Sequence, residues 1–227
     1  MKLTARENKT PRDILLNILL AFASLCVNGF GVYLCIKAGI GVGPWDVFNL
    51  GVANTFGILY GNASITVSFI ILAIDILMRE PIGIAMFIDA VTVGKAVDFF
   101  NHIDPVRTPA TLPGSIALML ASLVVLNISL IFYMLSALGC GPRDTLLVGL
   151  KRRAGRIPVG AVNVLLYAGV TLVGWLLGGP VGVGTLIIVF VNGPVLQALL
   201  YLFRLDITGI RHQHLLASLK ILFPRRR

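Results

Sequence analysis

Long apolar stretches separated by short polar or glycine-rich breaks run through almost the whole chain. Five of them, residues 14–36, 62–78, 115–138, 160–177 and 181–203, approach or exceed the roughly 20 residues a helix needs to cross a hydrocarbon core. A sixth, 82–100, has the length but carries Asp89, Lys95 and Asp98. Two shorter segments, 44–60 and 142–157, each begin at a proline. The second holds only the run 145–150 between Asp144 and Lys151, too little apolar surface to face lipid. The pattern predicts an all-α polytopic membrane protein of six long spans plus two short Gly-Pro-initiated helices.

Composition closes off the other classes. Of 227 residues, 57% are hydrophobic and 13% charged, with a mean hydropathy of +0.91. A soluble domain carries about twice that share of charge, and a disordered chain lacks such burial potential. The net charge of +9 would suggest nucleic acid in a soluble protein. Here it is read as a record of membrane orientation, with no nucleic-acid partner. The N-terminal residues Lys2, Arg6, Lys9 and Arg12 precede an apolar run, as in a signal peptide. That run is too long and no small-residue cleavage site follows, so a retained first helix is expected. The expected layout is a basic cytoplasmic N-terminus (1–12), a first membrane unit (13–103), a linker (104–113), a second unit (114–204) and a basic amphipathic cytoplasmic tail (205–227).

The chain echoes itself. Gly41-Val-Gly-Pro-Trp-Asp46 returns 98 positions later as Gly139-Cys-Gly-Pro-Arg-Asp144, and Gly51 and Gly57 meet Gly149 and Gly155. After a one-residue slip, Gly61 aligns with Gly160, Pro81-Ile-Gly83 with Pro180-Val-Gly182, and Gly94 with Gly193. Internal repeats are a common construction for membrane transporters. If the short segments cross the membrane, there are eight spans and parallel repeats. If they lie at the interface or re-enter, there are six spans and inverted repeats. Either topology leaves three of the nineteen basic residues outside, so totals do not decide. Local contrasts favour inversion. Residues 53–62 carry no charge, whereas their echo holds Lys151, Arg152, Arg153 and Arg156, and Arg79-Glu80 corresponds to Gly178-Gly179. In an inverted pair, matching loops face opposite sides, and the positive-inside bias produces such contrasts.

Three sets of residues could carry chemistry. In the repeated motif, Gly41, Gly43, Gly139 and Gly141 release the chain from helical geometry, and Pro44 and Pro142 suit the first turn of a new helix. Asp46 and Asp144 can then satisfy free backbone N–H groups there, or present carboxylates to a cation or proton at two broken-helix ends. The informative departure between the echoes is Trp45 against Arg143. Trp45 suits an interfacial or stacking position, and Arg143 could pair with Asp144 or bind an anion. In the second set, Lys95 and Asp98 are three apart and can pair on one helix face, with Asp89 nearby. The matching helix offers Asn192 and Gln197. Asp75 could reach Arg79 as a boundary pair. Third, the tail from Asp206 to Phe223, followed by Pro224 and three arginines, reads as an interfacial helix held by anionic lipid.

Other motifs lead nowhere specific. Residues 178–185 are glycine-rich but lack the Gly-Lys-Ser/Thr ending of a phosphate loop. His212 and His214 make a weak metal pair, and no metal or other cofactor is expected. Cys26, Cys35 and Cys140 have no metal spacing and read as small apolar side chains. No nucleophile–base set is recognisable, so catalysis has almost no support. With these motifs, the chain resembles the YczE/YyaS/YitT family of bacterial integral membrane proteins. The stretch Gly174-Trp-Leu-Leu-Gly-Gly-Pro-Val-Gly-Val-Gly-Thr185 resembles its YczE-type branch. The resemblance spans about residues 14–203 and implies a bacterial inner-membrane protein with a duplicated core, without naming a substrate.

The leading expectation is a small secondary transporter or exporter with its site between two pseudo-symmetric repeats, taking a small molecule or ion. The alternative is a non-transporting membrane partner, such as a capture or regulatory subunit. A homo-oligomer or a membrane partner chain is compatible with either. A channel fits less well, because no polar ring recurs along one helix.

Overall fold

A computed structural model describes residues 10–205, 213 and 215–222. These residues form α1 (Pro11–Ala38), α2 (Pro44–Phe56), α3 (Tyr60–Leu77), α4 (Ile84–Ile103), α5 (Leu112–Leu135), α6 (Pro142–Ala154), α7 (Val159–Leu176), α8 (Val183–Phe203) and α9 (Leu215–Leu222), with no strand among them. α1, α3, α5, α7 and α8 are long and apolar enough to cross a membrane. α4 has 20 residues but keeps the three charges that marked it in the sequence.

Local chemistry sets the ends. Thr10 caps α1, accepting from the Asp13 N–H while Asp13 accepts in return from the Thr10 N–H at 3.2 Å. Pro44 and Pro142 stand in the first turns of α2 and α6, where a missing N–H costs nothing. Gly39 ends α1 in the left-handed region (φ 69°), which a residue without Cβ adopts freely.

Neighbouring contacts give the helix directions. Gly29 of α1 packs on Val93 and Ala96 of α4. Further along, the Phe30 and Phe100 rings meet at 4.8 Å and Lys37 pairs with Asp104, so α1 and α4 run parallel. Gly31 faces Leu126 of α5 whereas Cys35 meets Met119, so α1 and α5 run antiparallel. α2 packs on α7, and α6 packs on α3.

Two loops tie the halves together in the same way. The Gly184 N–H donates to the Ile40 carbonyl at 2.7 Å, and the Ala85 N–H donates to the Leu138 carbonyl at 3.3 Å. Each bond gives a partner to a helix-start N–H that its own helix cannot satisfy. The far ends of the short helices match too. Thr55 of α2 donates to the Leu177 carbonyl, and Arg153 of α6 donates to the Met78 carbonyl.

The main core joins α1, α4 and α5 through Leu25, Val32, Val93, Val97 and Tyr133. α9 reaches this core with Ile221 and Leu222, and its Leu215 N–H donates to the Ile82 carbonyl at 2.8 Å. That part of the basic tail therefore docks on the bundle. The rest of the tail, with His212 and His214, lies outside the described residues. All three cysteines are free, and Cys35 is buried.

Candidate functional site

The two motif glycine turns bring the starts of α2 and α6 together. The Arg143 guanidinium lies over the Trp45 ring, 5.4 Å from its centroid, and donates to Ser64 Oγ at 3.3 Å. Asp46, Asp89 and Asp144 are near enough to act on it electrostatically. None of them comes within ion-pair distance of it among the described residues. The expected Arg143–Asp144 pair is therefore replaced by stacking on Trp45.

The motif aspartates do not act as caps, since neither α2 nor α6 has a side-chain cap bond at its start. Asp46 Oδ1 instead accepts from the Tyr60 hydroxyl at 2.7 Å, and Tyr60 accepts from Asn49 Nδ2 at 3.3 Å. Asp144 is exposed. Asp89 approaches from α4 so closely that a Cβ on Gly141 would fall 2.6 Å from its carboxylate. A side chain at Gly141 would shut the carboxylate out.

Beside this cluster, between α7 and α8, opens a cavity of about 860 Å³. Asp46 and Arg143 are the charged residues on its wall, with Trp45, Asn163, Tyr167 and Asn192 among its polar and aromatic ones. Asn192 Oδ1 accepts from Asn127 Nδ2 at 2.8 Å, whereas Asn163 Oδ1 is buried with no hydrogen bond. Most of the remaining wall is aliphatic, a composition typical of small-molecule sites.

The second sequence cluster lands elsewhere. Lys95 and Asp98 do not pair with each other. Lys95 Nζ donates to Asn62 Oδ1 at 3.2 Å, and Asp98 Oδ1 accepts from the Gly61 N–H at 2.8 Å. Both side chains stitch α4 to α3, because the close α3–α4 packing puts those partners nearer than one turn along the helix. Gln197 lies on a surface groove toward the end of α8, away from Asn192. The expected Asp75–Arg79 pair is also absent among the described residues. Asp75 is fully buried without a hydrogen bond, and Arg79 turns off the helix at φ 56°.

The seam between α3 and α4 is closed by glycine. A Cβ on Gly94 would fall 2.7 Å from the Gly61 carbonyl, and one on Gly61 would collide with the Gly94 carbonyl. Their echoes, Gly160 on α7 and Gly193 on α8, have nothing within 4 Å of a Cβ among the described residues, and Gly193 lines the cavity. Sequence reasoning missed Tyr60, Asn49, Asn163 and Tyr167. A usable signal was that Tyr60 and Asn49 flank the motif in the first half alone.

These features define an all-α polytopic membrane protein in which Asp46, Asp89, Arg143 and Asp144 gather at two broken-helix starts. Residues 15–200 match a family of unknown function, DUF6198, and the chain belongs to it. It is 30% identical over 192 residues to "Uncharacterized membrane protein YczE" of Bacillus subtilis, covering 82% of this chain and 86% of that one. An "Uncharacterized protein" of Haemophilus influenzae is 28% identical over 179 residues, covering 79% and 80% respectively. B. subtilis "Uncharacterized protein YyaS" is 22% identical over 178 residues, covering 76% and 87%. No solved structure matches.

Proposed function

We propose that this protein is a secondary transporter of the bacterial inner membrane, built from two inverted repeats that rock against each other around the Trp45–Arg143 centre. Six helices span, α2 and α6 re-enter from opposite sides, and both termini are cytoplasmic. Helix direction supports this topology. In a six-span inverted chain, α1 is parallel to α4 and antiparallel to α5, as found here. An eight-span parallel chain requires the reverse in both cases. The matching bonds from Ile40 to Gly184 and from Leu138 to Ala85 agree with a two-fold relation between the halves.

The observation that carries the reading is the unequal state of two equivalent seams. α3 and α4 are zipped at Gly61 and Gly94, while α7 and α8 stand apart at Gly160 and Gly193. Inverted repeats that exchange conformations turn one access path into the other. Among the described residues, Gly160 and Gly193 have no close neighbour in this state, and they would have one in the exchanged state. Pro194 follows Gly193 inside α8 and removes a backbone donor there, giving that helix a point at which to bend. Asp144 and Asp89, facing each other across Gly141, are the groups to carry a coupling proton or cation.

Cysteines at positions 160 and 193, in a background without native cysteines, test the exchange. Oxidative cross-linking in native membranes is expected, together with loss of reagent access to a probe in the cleft. Failure to cross-link, with both cysteines reactive toward small maleimides, rejects the exchange. Labelling at Asn62 and Arg156 from opposite sides of the membrane supports inversion, and labelling from one side removes it.

A further inference from the structure

The cavity between α7 and α8 has an electrostatic pattern that narrows what it binds. Its wall carries one carboxylate, Asp46, and one guanidinium, Arg143, and these two are not paired with each other. Each is held in place by a neighbour outside the pair. Tyr60 fixes one Asp46 oxygen, which leaves Oδ2 free to accept. Trp45 and Ser64 fix Arg143, using one face of the guanidinium and one of its five N–H donors.

A cation of single charge would meet Asp46 and leave the free N–H donors of Arg143 without a direct acceptor, since Asp89 and Asp144 act on it only from beyond ion-pair distance. An anion would do the opposite, and a neutral solute would leave both unmet. Charges removed from water without partners are costly, so selectivity follows from which solute satisfies both. The rest of the wall is mainly aliphatic, with Trp175, Leu172 and Val189 on the helices that bound the opening.

We infer that the cleft binds a zwitterionic, amino-acid-like molecule with an apolar side chain. Its carboxylate lies on Arg143, its ammonium on Asp46, and its side chain between α7 and α8. Guanidinium and carboxylate form a planar two-bond pair that a lysine in this position could not reproduce. Asn163 also lines the cavity, and its Oδ1 is without a hydrogen bond. The inference rests on the reading of this cleft as the substrate site, though binding can be measured without transport.

The experiment uses the purified full-length protein in lipid nanodiscs. Equilibrium binding is followed for leucine, phenylalanine and tryptophan, each beside its decarboxylated amine and its deaminated acid. At least one amino acid is expected to bind at least tenfold tighter than both of its singly charged analogues. Arg143→Lys should remove most of that preference in a protein that still melts cooperatively. Asp46→Asn should weaken the amino acid at least tenfold while changing binding of the deaminated acid little. The inference is overturned if none of the three amino acids binds to folded protein, or if an amine or acid analogue binds as well. Binding without counterflow in proteoliposomes would keep the ligand class and reject the transporter. Counterflow of singly charged solutes alone would keep the transporter and reject the ligand class.

Discussion

Substituting alanine at Gly61 and, separately, at its echo Gly160 makes a matched pair of perturbations whose outcomes should differ. Both glycines are the second residue of their helices, so the helix-propensity gain of Ala over Gly, at most about 1 kcal/mol, is shared and cancels in the comparison. The difference lies in what the new methyl meets. At position 61 it collides with the Gly94 carbonyl and the Asp98 carboxylate, whereas at position 160 no described residue comes within 4 Å. Forcing a methyl into a packed seam costs about 1–3 kcal/mol. Gly61→Ala should therefore weaken the closed α3–α4 state by about 2 kcal/mol relative to Gly160→Ala. If α7 and α8 close when α3 and α4 part, that shifts the balance between the two states by about 30-fold. The assay is maleimide labelling of Asn192→Cys, a cavity-wall position, in each background with native cysteines removed. Gly61→Ala should slow labelling, and Gly160→Ala should leave it unchanged or faster. Equal labelling in the two variants, with equal melting temperatures, would refute the link between seam and cleft.

Other outcomes follow from separate contacts. Glu80, whose side chain is 1% exposed, pairs with Arg152 and Arg153 at 3.2 Å each. Both arginines are at least half exposed, which tempers the loss, so Glu80→Gln should lower unfolding stability in detergent by about 1–2 kcal/mol. The hydrogen bond from Lys37 holds the Asp104 carboxyl below the usual carboxylate range, with Tyr33 adding a second. Because the folded value is the lower one, the clamp's contribution is complete above the ordinary carboxylate value of about 3.9 and is lost as pH falls through the folded value. The melting difference between wild type and Asp104→Asn should accordingly stay constant from about pH 7 to 5 and close only below about 4. Tyr60→Phe removes the bond to Asp46 and should cost about 1–2 kcal/mol. If Asp46→Asn already breaks that contact, adding Tyr60→Phe to it should cost less than in wild type, as a double-mutant cycle by thermal melting would show.

What was legible in the sequence was set by local chemistry. Hydropathy located the helices to within a few residues, and Pro44 and Pro142 marked the short ones because a proline ring already has helical φ. The doubled motif pointed to Trp45, Asp46, Arg143 and Asp144, which do come together. Pairings were not legible where tertiary neighbours outbid near ones along the helix. Lys95 and Asp98 have the spacing of an ion pair, but glycine at 61 and 94 lets α3 come so near that both residues bond across the seam instead. Asp75 reads as a boundary residue by position and is enclosed by packing no periodicity encodes. Nor could spacing place Tyr60 on Asp46, fourteen residues and one turn of chain away. Gln197 and Asn192 lie five apart on one helix and face different surroundings, as a 3.6-residue period requires.

The stacking of Arg143 on Trp45 bears on how such a chain arose. In the two-fold arrangement we propose, positions 45 and 143 correspond, and a residue that touches its own counterpart lies on the axis relating the halves. Two separate copies of a single half would bring identical side chains together there. Two arginines would repel, and two tryptophans would supply no charge. A fused chain is free to vary each position on its own, so the contact on the axis can become a complementary pair. In that arrangement, joining the halves covalently permits a complementary pair on the axis, where a symmetric pair of identical halves would place two like residues.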